Sequence, residues 1–255
     1  MEAIKTFFKK SHFVHATYKL GMRLHQIPAS NIRSLHEFRS IYRVLPNTML
    51  SLPRLANAYD CVVSINKEGI EGDIVECGVW SGGCVGLMAL AHNESGKIRR
   101  EFHLFDSFEG LHQPSLKDTD FLDEPLLSNG TAELKATGAC VGGSREFVED
   151  FLVNRLNLNP QTLRFHVGWF RDTIPIAAPG IDKIALLRLD GDLYESTKQA
   201  LEGLYEQVQP GGYVIIDDFG FAGCRQALVE YFAVHGELPE LLPIDAQSVY
   251  FRKPA

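Results

Sequence analysis

The sequence has few cysteines, no long apolar run and no excess of basic residues. Over 255 residues no run approaches the roughly 18 apolar residues of a membrane span, and the N-terminus has no secretory signal pattern. The five cysteines are odd in number and none stands in a CxxC pair, which argues against a disulfide framework or a zinc knuckle. We therefore expect a cytoplasmic protein without a membrane span.

Acidic residues outnumber basic ones. Lys and Arg number 25 and Asp and Glu number 32, which gives a formal net charge of −7. Because binding to nucleic-acid phosphates calls for the opposite balance, we expect no nucleic-acid partner. The hydrophobic fraction of 45% excludes a disordered chain and is enough for a core that needs no disulfide or structural metal.

Residues 1–50 differ in composition from the rest of the chain. They carry eight Lys and Arg against only two acids, Glu2 and Glu37, with Phe and Ile at loosely helical spacing. This pattern predicts a helical arm (1–50) that packs on the remaining domain (51–255) or on a second subunit of a homo-oligomer. The alternative is a basic amphipathic helix on a membrane surface.

From residue 73 onward, apolar runs of strand length alternate with stretches of helical periodicity. The predicted strands are Asp73–Cys77, Phe102–Asp106, Leu163–Val167, Ile184–Asp190 and Tyr213–Asp217. The predicted helices are Cys84–His92, Arg145–Leu156, Glu195–Val208 and Gly223–His235. This alternation predicts an α/β fold with a mostly parallel sheet. Two last runs, Glu240–Ile244 and Ser248–Arg252, predict an antiparallel hairpin at its edge.

The segment Glu109–Ser144 has no clear periodicity. Loops of this length in a compact domain usually serve function. Because the segment begins at the carboxyl end of a predicted strand, we expect it to act as a lid. We expect His112, which lies in it, to be a solvated loop residue; the alternative is a contact with the substrate.

The string DIVECGVWSGG at Asp73–Gly83 places glycines between a predicted strand and a helix. Glycine lets the backbone approach a ligand closely, and the amides of a helix N-terminus can bind an anion. Asp106 ends the next predicted strand, 30 residues after Glu76, where an acid can accept hydrogen bonds from a ribose diol. Neither GxGxxG nor GK[ST] is present. Together these features predict an adenosine-containing cofactor; the alternative is a structural turn with a capping Asp.

Three carboxylates fall at the ends of successive predicted strands. Asp190 and Asp217 each end a strand, and Asp218 follows directly. Such carboxylates repel one another unless a cation lies among them, and oxygen-only ligands favour Mg²⁺ over zinc. The alternative is that Asp217 and Asp218 cap a turn while Asp190 pairs with Arg188 or Lys183.

Several strings resemble the macrocin O-methyltransferase family, whose members are metal-dependent and transfer methyl groups from S-adenosylmethionine to hydroxyls of glycosylated antibiotics. They are GDIVECGVWSGG, FDSFEGL, HVGWFRDTIP, LLRLDGDLYESTKQALEGLYEQVQPGGYVIIDDF and GCRQALVEYF. The resemblance runs from about Met49 to Arg252, and the first fifty residues give no comparable match. It implies a Rossmann-like class I methyltransferase fold for 51–255, natural-product biosynthesis, and a small hydroxylated acceptor, above all a sugar.

The resemblance also implies a role for each matching residue. The cofactor turn would consist of Glu76, Gly78, Trp80 and Gly82. The ribose and adenine would meet Asp106, Ser107, Phe108, Gly168, Trp169 and Phe170. The Mg²⁺ ligands would be Asp190, Asp217 and Asp218, and the general base would be Asp192. Ser81 departs from the family, where many relatives have Arg.

The chemistry suits a hydroxyl acceptor. A sugar hydroxyl is weakly acidic, and a metal ion lowers its pKa while Asp192 takes the proton. The alternatives are a phenol or catechol acceptor, a non-catalytic cofactor-binding scaffold, and a nicotinamide dehydrogenase. Convergent carboxylates argue against the scaffold, and the absence of GxGxxG argues against the dehydrogenase.

Overall fold

The computed structural model describes residues 34–118 and 137–254. Within them the helices are α1 (Leu35–Val44), α2 (Leu52–Glu68), α3 (Gly83–Ser95), α4 (Arg145–Asp150), α5 (Phe170–Ala177), α6 (Tyr194–Leu204) and α7 (Ala222–His235). The strands are β1 (Asp73–Cys77), β2 (Phe102–Asp106), β3 (Leu163–Val167), β4 (Ile184–Leu189), β5 (Val208–Ile216), β6 (Leu242–Pro243) and β7 (Val249–Arg252). Most of the predicted arm and the middle of the predicted lid lie outside the described residues.

The strands form one sheet in the order β3-β2-β1-β4-β5-β7-β6. The first five strands along the chain pair in parallel, and β7 runs antiparallel to both β5 and β6. The predicted α/β sheet with an antiparallel C-terminal edge is therefore confirmed. Because β1, β2, β4 and β5 run parallel, their carboxyl ends lie along one edge of the sheet. The chain order reverses beside β1, and ligands of open α/β sheets bind at such a point.

Helix α6 ends earlier than the periodicity predicts, and β5 begins earlier. The predicted helix Glu195–Val208 stops at Leu204, and Val208 pairs with Ile184 as the first residue of β5. Between them the chain makes a 3₁₀ turn over Tyr205–Gln207. The prediction of one helix up to Val208 is therefore wrong, because periodicity does not separate the α-helix from this turn and Val208 already belongs to β5.

The predicted helix Arg145–Leu156 is not a regular α-helix throughout. After α4 the chain continues as one π-helical turn over Phe151–Arg155. Arg43 of α1 donates to the carbonyl oxygens of Arg155 (3.2 Å) and Leu156 (2.9 Å), which satisfies acceptors that the helix end leaves unpaired. Periodicity of apolar residues does not distinguish these two helix types.

Apolar side chains fill both faces of the sheet. Helices α1 to α4 cover one face and α5 to α7 cover the other, so adjacent strand residues such as Ile74 and Val75 enter different cores. The buried Ile41 and Val44 of α1 belong to the first core, so residues 34–50 pack into the domain. In the described ranges no helix has both the length and the apolar character that crossing a bilayer requires.

Candidate active site

The carboxyl ends of the central strands open onto a cavity of about 310 Å³. Most residues predicted for the site line it: Glu76, Gly78, Trp80, Asp106, Ser107, Gly168, Trp169, Phe170, Asp190, Asp192, Asp217 and Asp218. Two predicted residues do not. Gly82 is the N-cap of α3, with a φ of 83°, and it lies against the side chain of Val148. The ring of Phe108 lies beside that of Phe165, with 6.4 Å between their centroids.

The turn between β1 and α3 is held against the neighbouring strands. A Cβ at Gly78 would stand 1.8 Å from the carbonyl oxygen of Asp190, so only glycine fits. The Asp106 carboxylate accepts from the backbone N–H groups of Val79 (2.7 Å), Trp80 (3.0 Å) and Phe108 (2.7 Å). A carboxylate has about four acceptor sites, so Asp106 keeps capacity toward the cavity while it fixes the turn.

The loops after β2 and β3 complete this side of the cavity. The Ser107 hydroxyl donates to the carbonyl of Gly110 at 2.9 Å and accepts from the N–H of Glu109 at 3.1 Å. Gly168 has a φ of 136°, and its N–H donates to the carbonyl of Asp106. Trp169 follows at the start of α5. These contacts bring the loops after β2 and β3 to one wall.

Arg188 of β4 is the buried cation at the centre of the site. Its guanidinium donates to Glu76 (2.8 Å), Asp190 (2.7 Å) and Asp217 (2.5 Å). The sequence alternative in which Asp190 pairs with Arg188 is therefore realised, although the three predicted metal ligands also converge. The second oxygen of Glu76 is buried without a hydrogen-bond partner among the described residues, and burial raises the pKa of Glu76 to about 7.

Arg54, in the first turn of α2, is a site residue that sequence reasoning missed. It donates to Asp217 (2.6 Å), to Asp245 (2.8 Å) and to Gln247 (3.1 Å). Asp217 is thus held between two guanidinium groups, those of Arg54 and Arg188. No motif marks Arg54, because its partners lie more than 160 residues away along the chain.

The carboxylate cluster comprises Glu76, Asp190, Asp192, Asp217 and Asp218. Five carboxylates against two guanidiniums leave a formal charge of −3 when all are ionised. Burial and mutual repulsion accordingly raise the pKa of Asp190 to about 6 and that of Asp218 well above its usual value. Carboxylate oxygens of three members, Asp190, Asp217 and Asp218, lie within 4.8 Å of one another. Oxygen donors at this spacing, with excess negative charge, fit a hard divalent cation such as Mg²⁺.

Asp192 lies in a strained turn beside the three convergent carboxylates. Its φ of 60° is in the left-handed region, and its N–H donates to Asp218 at 2.9 Å. The N–H of Leu193 closes the turn on the carbonyl of Gly191 at 2.6 Å. Burial, with the charges of Asp190 and Asp217, raises the pKa of Asp192 to about 7. A carboxylate with this pKa is suited to accept a proton near neutral pH, and a bound cation would lower the value.

His112 does not have the solvated position expected of it. Its ring is 6% exposed, lines the cavity and meets Trp169 edge-on at 6.1 Å between centroids. Its Nε2 lies 2.9 Å from the Ser196 hydroxyl and its Nδ1 lies 2.8 Å from the carbonyl of Gln113. The expectation was wrong because the lack of periodicity around His112 reports an irregular backbone, which here is packed against α6.

The mostly parallel sheet, whose chain order reverses beside β1, and the cavity at its carboxyl edge fit a Rossmann-like class I methyltransferase. The sequence profile of the macrocin O-methyltransferase family (TylF) matches residues 13–253, and the chain belongs to this family. It is an S-adenosylmethionine-dependent O-methyltransferase. The expected start of the resemblance near Met49 was too late, because the match extends into the basic N-terminal region.

Named relatives agree with this assignment. The chain is 33% identical over 252 residues to the mycinamicin III 3''-O-methyltransferase of Micromonospora griseorubida, covering 96% of this chain and 93% of that protein. It is 36% identical over 209 residues to the 8-demethyl-8-(2,3-dimethoxy-alpha-L-rhamnosyl)-tetracenomycin-C 4'-O-methyltransferase of Streptomyces olivaceus, covering 82% and 76%. The solved structure of the O-methyltransferase NovP superposes with a TM-score of 0.69 at 35% identity, covering 82% of this chain and 83% of that one.

Proposed function

We propose that the protein methylates a sugar hydroxyl of a small natural product in a Mg²⁺-dependent reaction with Asp192 as the general base. The observation that carries this proposal is the convergence of Asp190, Asp217 and Asp218 beside Asp192 at the edge of the cofactor cavity. The names of two relatives support a glycosylated natural product as the acceptor class.

The cofactor half of the cavity lies at the ends of β1, β2 and β3. The rigid turn at Gly78 and Trp80, with Glu76 behind it, would hold the methionine part of S-adenosylmethionine. Asp106 and Ser107 would bind the ribose, and Trp169 would line the part of the cavity that holds the adenine. Gly82 and Phe108 would act on the cofactor indirectly, through the turns that they shape.

The acceptor half lies at the ends of β4 and β5. The cavity is lined here by Met49, Arg54, Asp217, Phe221 and Gln247. In the sheet, β4 and β5 lie on the side of β1 opposite to β2 and β3. This wall combines apolar surface with a fixed amide and a guanidinium, as a sugar with a hydrophobic aglycone requires. We propose that the acceptor enters here.

The reaction needs an oriented hydroxyl and a place for its proton. S-adenosylmethionine would supply the methyl group of its sulfonium and leave as S-adenosylhomocysteine, and Asp190, Asp217 and Asp218 would hold Mg²⁺, a Lewis acid that would lower the pKa of the acceptor hydroxyl. The protein aligns donor and acceptor, which is a large part of catalysis for a displacement of this kind. Asp192 accepts the hydroxyl proton on its carboxylate. Arg188 and Arg54 pair with Asp190 and Asp217 and hold these carboxylates in place.

A screen of glycosides and phenols tests the proposal. Each candidate is incubated with S-adenosylmethionine and Mg²⁺, and mass spectrometry records the gain of one methyl group. We expect gain on a glycoside and its loss in excess EDTA. Methylation confined to phenols or catechols would reassign the acceptor class, and full activity in EDTA would refute the metal.

A further inference from the structure

The segment from Gln113 to Asp118 is fixed to the amino end of α6, directly after the turn that carries Asp192. At its far end Asp118 is 2% exposed, although it lies in a loop. One carboxylate oxygen accepts from the backbone N–H of Tyr194 at 2.7 Å. The other accepts from the N–H (2.7 Å) and the hydroxyl (2.8 Å) of Ser115. A residue 76 positions upstream therefore caps α6 and orders its own loop.

Helix α6 has no cap of its own. The residue before it is Leu193, whose side chain accepts no hydrogen bond, so Asp118 supplies the acceptor that the first turn needs. Its negative charge also lies at the positive end of the helix dipole. Gly223, near the start of α7, leaves room for the Asp118 carboxylate, because a Cβ at this position would lie 2.2 Å from Asp118 Oδ1.

His112 makes a second attachment to the same helix. A backbone carbonyl only accepts, so the carbonyl of Gln113 places a proton on His112 Nδ1. In the neutral ring Nε2 is then the acceptor for the hydroxyl of Ser196. Ser196 in turn packs on Gly191, where an added Cβ would lie 2.7 Å from the serine Cβ. His112 thus reaches the residue between Asp190 and Asp192 through one intermediate side chain.

Both attachments converge on the strained backbone of Asp192. On one side of Asp192, Asp118 holds Tyr194, which lies two residues further along the chain. On the other side, Gly191 packs on Ser196, the residue that His112 contacts. A non-glycine residue at positive φ persists only where its surroundings fix it. The pairing of Asp192 N–H with Asp218 is a third constraint on this turn.

We propose that Asp118 and His112 are positioning residues that hold Asp192 in reacting geometry through the first turn of α6. The proposal rests on the proposed role of Asp192 as the base. The loop after β2 then does more than enclose the cavity, since its order determines the orientation of the proton acceptor. Asp118 contributes most, because it holds the backbone itself.

The test compares Asp118→Ala, Asp118→Asn and His112→Ala with Leu116→Ala, a control in the same segment whose side chain is 71% exposed. Hydrogen exchange of the peptide spanning 190–197 measures how well the turn at Asp192 is ordered, and it needs no methyl-acceptor substrate. Steady-state kinetics with an acceptor from the screen reports kcat and KM separately. Calorimetry with S-adenosylhomocysteine reports the cofactor site, and Asp192→Asn is assayed in parallel.

We expect Asp118→Ala to raise exchange in this peptide at least about tenfold and to lower kcat at least about tenfold. The affinity for S-adenosylhomocysteine stays within about threefold, and Leu116→Ala matches the unmodified protein. Asp118→Asn keeps one acceptor oxygen and recovers part of kcat, and His112→Ala gives a smaller loss.

Unchanged exchange in Asp118→Ala overturns the proposal, as does a normal kcat while Asp192→Asn is slow. A parallel loss of kcat, cofactor affinity and thermal stability also overturns it, since it indicates general unfolding. Full turnover by Asp192→Asn instead refutes the proposed base, and the exchange data then decide separately whether Asp118 orders the turn.

Discussion

At the scale of single residues, Gly78 is the point at which the turn after β1 meets the backbone of Asp190. Its φ is 91°, and a Cβ would lie 1.8 Å from the backbone oxygen of Asp190. We expect Gly78→Ala to cost more than about 2 kcal/mol of unfolding free energy, from left-handed strain and the clash together. Urea unfolding measures this cost. Gly180→Ala, with open space and no positive φ, is the control, and an equal loss in both would contradict the argument.

Substitution of Asp192 can separate the loss of proton transfer from the loss of ligand binding. Asp192→Asn keeps the shape of the side chain and removes its basicity. We expect turnover to fall roughly 10²- to 10⁴-fold, the range for a lost general base. Mg²⁺ and S-adenosylhomocysteine affinities, measured by calorimetry, stay close to those of the unmodified protein. Normal turnover in this variant would leave the metal in place and require another proton acceptor.

Asp190 is a better position than Asp217 at which to test the metal. Asp217 pairs with both Arg54 and Arg188, so its substitution breaks two buried ion pairs at once, whereas Asp190 pairs with Arg188. Asp190→Asn removes one charged oxygen ligand with less disruption. We expect Mg²⁺ binding, measured by calorimetry, to weaken at least about tenfold, whereas Asp245→Asn, which removes a partner of Arg54 outside the three convergent carboxylates, retains it. Undiminished binding by Asp190→Asn would refute the proposed ligand set.

At the scale of elements, the α2–α3 pair contains a titratable group that makes stability depend on pH. His92 is buried, and its Nδ1 lies 3.1 Å from the Asn66 side-chain oxygen. Burial, with a smaller contribution from Arg100, lowers the pKa of His92 to about 4. The unfolded chain binds the proton at about pH 6.5, so acidification favours unfolding from there down to about pH 4.

We therefore expect unfolding free energy to fall over this range by on the order of 2 kcal/mol because of His92. His92→Gln lacks this pH-dependent contribution. The difference in unfolding free energy between the unmodified protein and His92→Gln therefore narrows as pH falls. Urea unfolding at intervals from pH 7.5 to pH 4.5 measures the gap. A gap that stays constant with pH would show that His92 does not titrate in this way.

The elements also show what the sequence could and could not predict. β1 and β2 are largely buried and rich in apolar residues, and they have the predicted bounds; the edge strand β3 also has them, although most of its residues are only half-buried or exposed. The predicted end of α6 was wrong because side-chain periodicity does not mark the change to the 3₁₀ turn over Tyr205–Gln207 or the start of β5 at Val208. Arg54 could not be found from the sequence, and His112 could not be recognised as a packed residue, since both roles come from contacts across the fold rather than from a pattern along the chain.

At the scale of the whole molecule, the described part of the basic region belongs to the domain core. Deleting residues 1–50 would remove Ile41 and Val44 and expose the apolar surface that they cover. A useful deletion therefore ends at residue 33, before α1. The boundary at residue 50 stays a prediction, and this deletion tests the arm while it retains every residue of the described core.

We expect the protein lacking 1–33 to fold and to bind S-adenosylhomocysteine with nearly unchanged affinity, because the residues proposed to bind the cofactor, 76–80, 106–107 and 168–170, are retained. If the arm packs on a second subunit or on the acceptor side, its loss changes the oligomeric mass in light scattering or raises KM for the acceptor at least several-fold. Unchanged mass together with unchanged KM would contradict this role. Binding of the intact protein to anionic vesicles, lost on deletion and suppressed by salt, would instead assign the basic residues to a membrane surface.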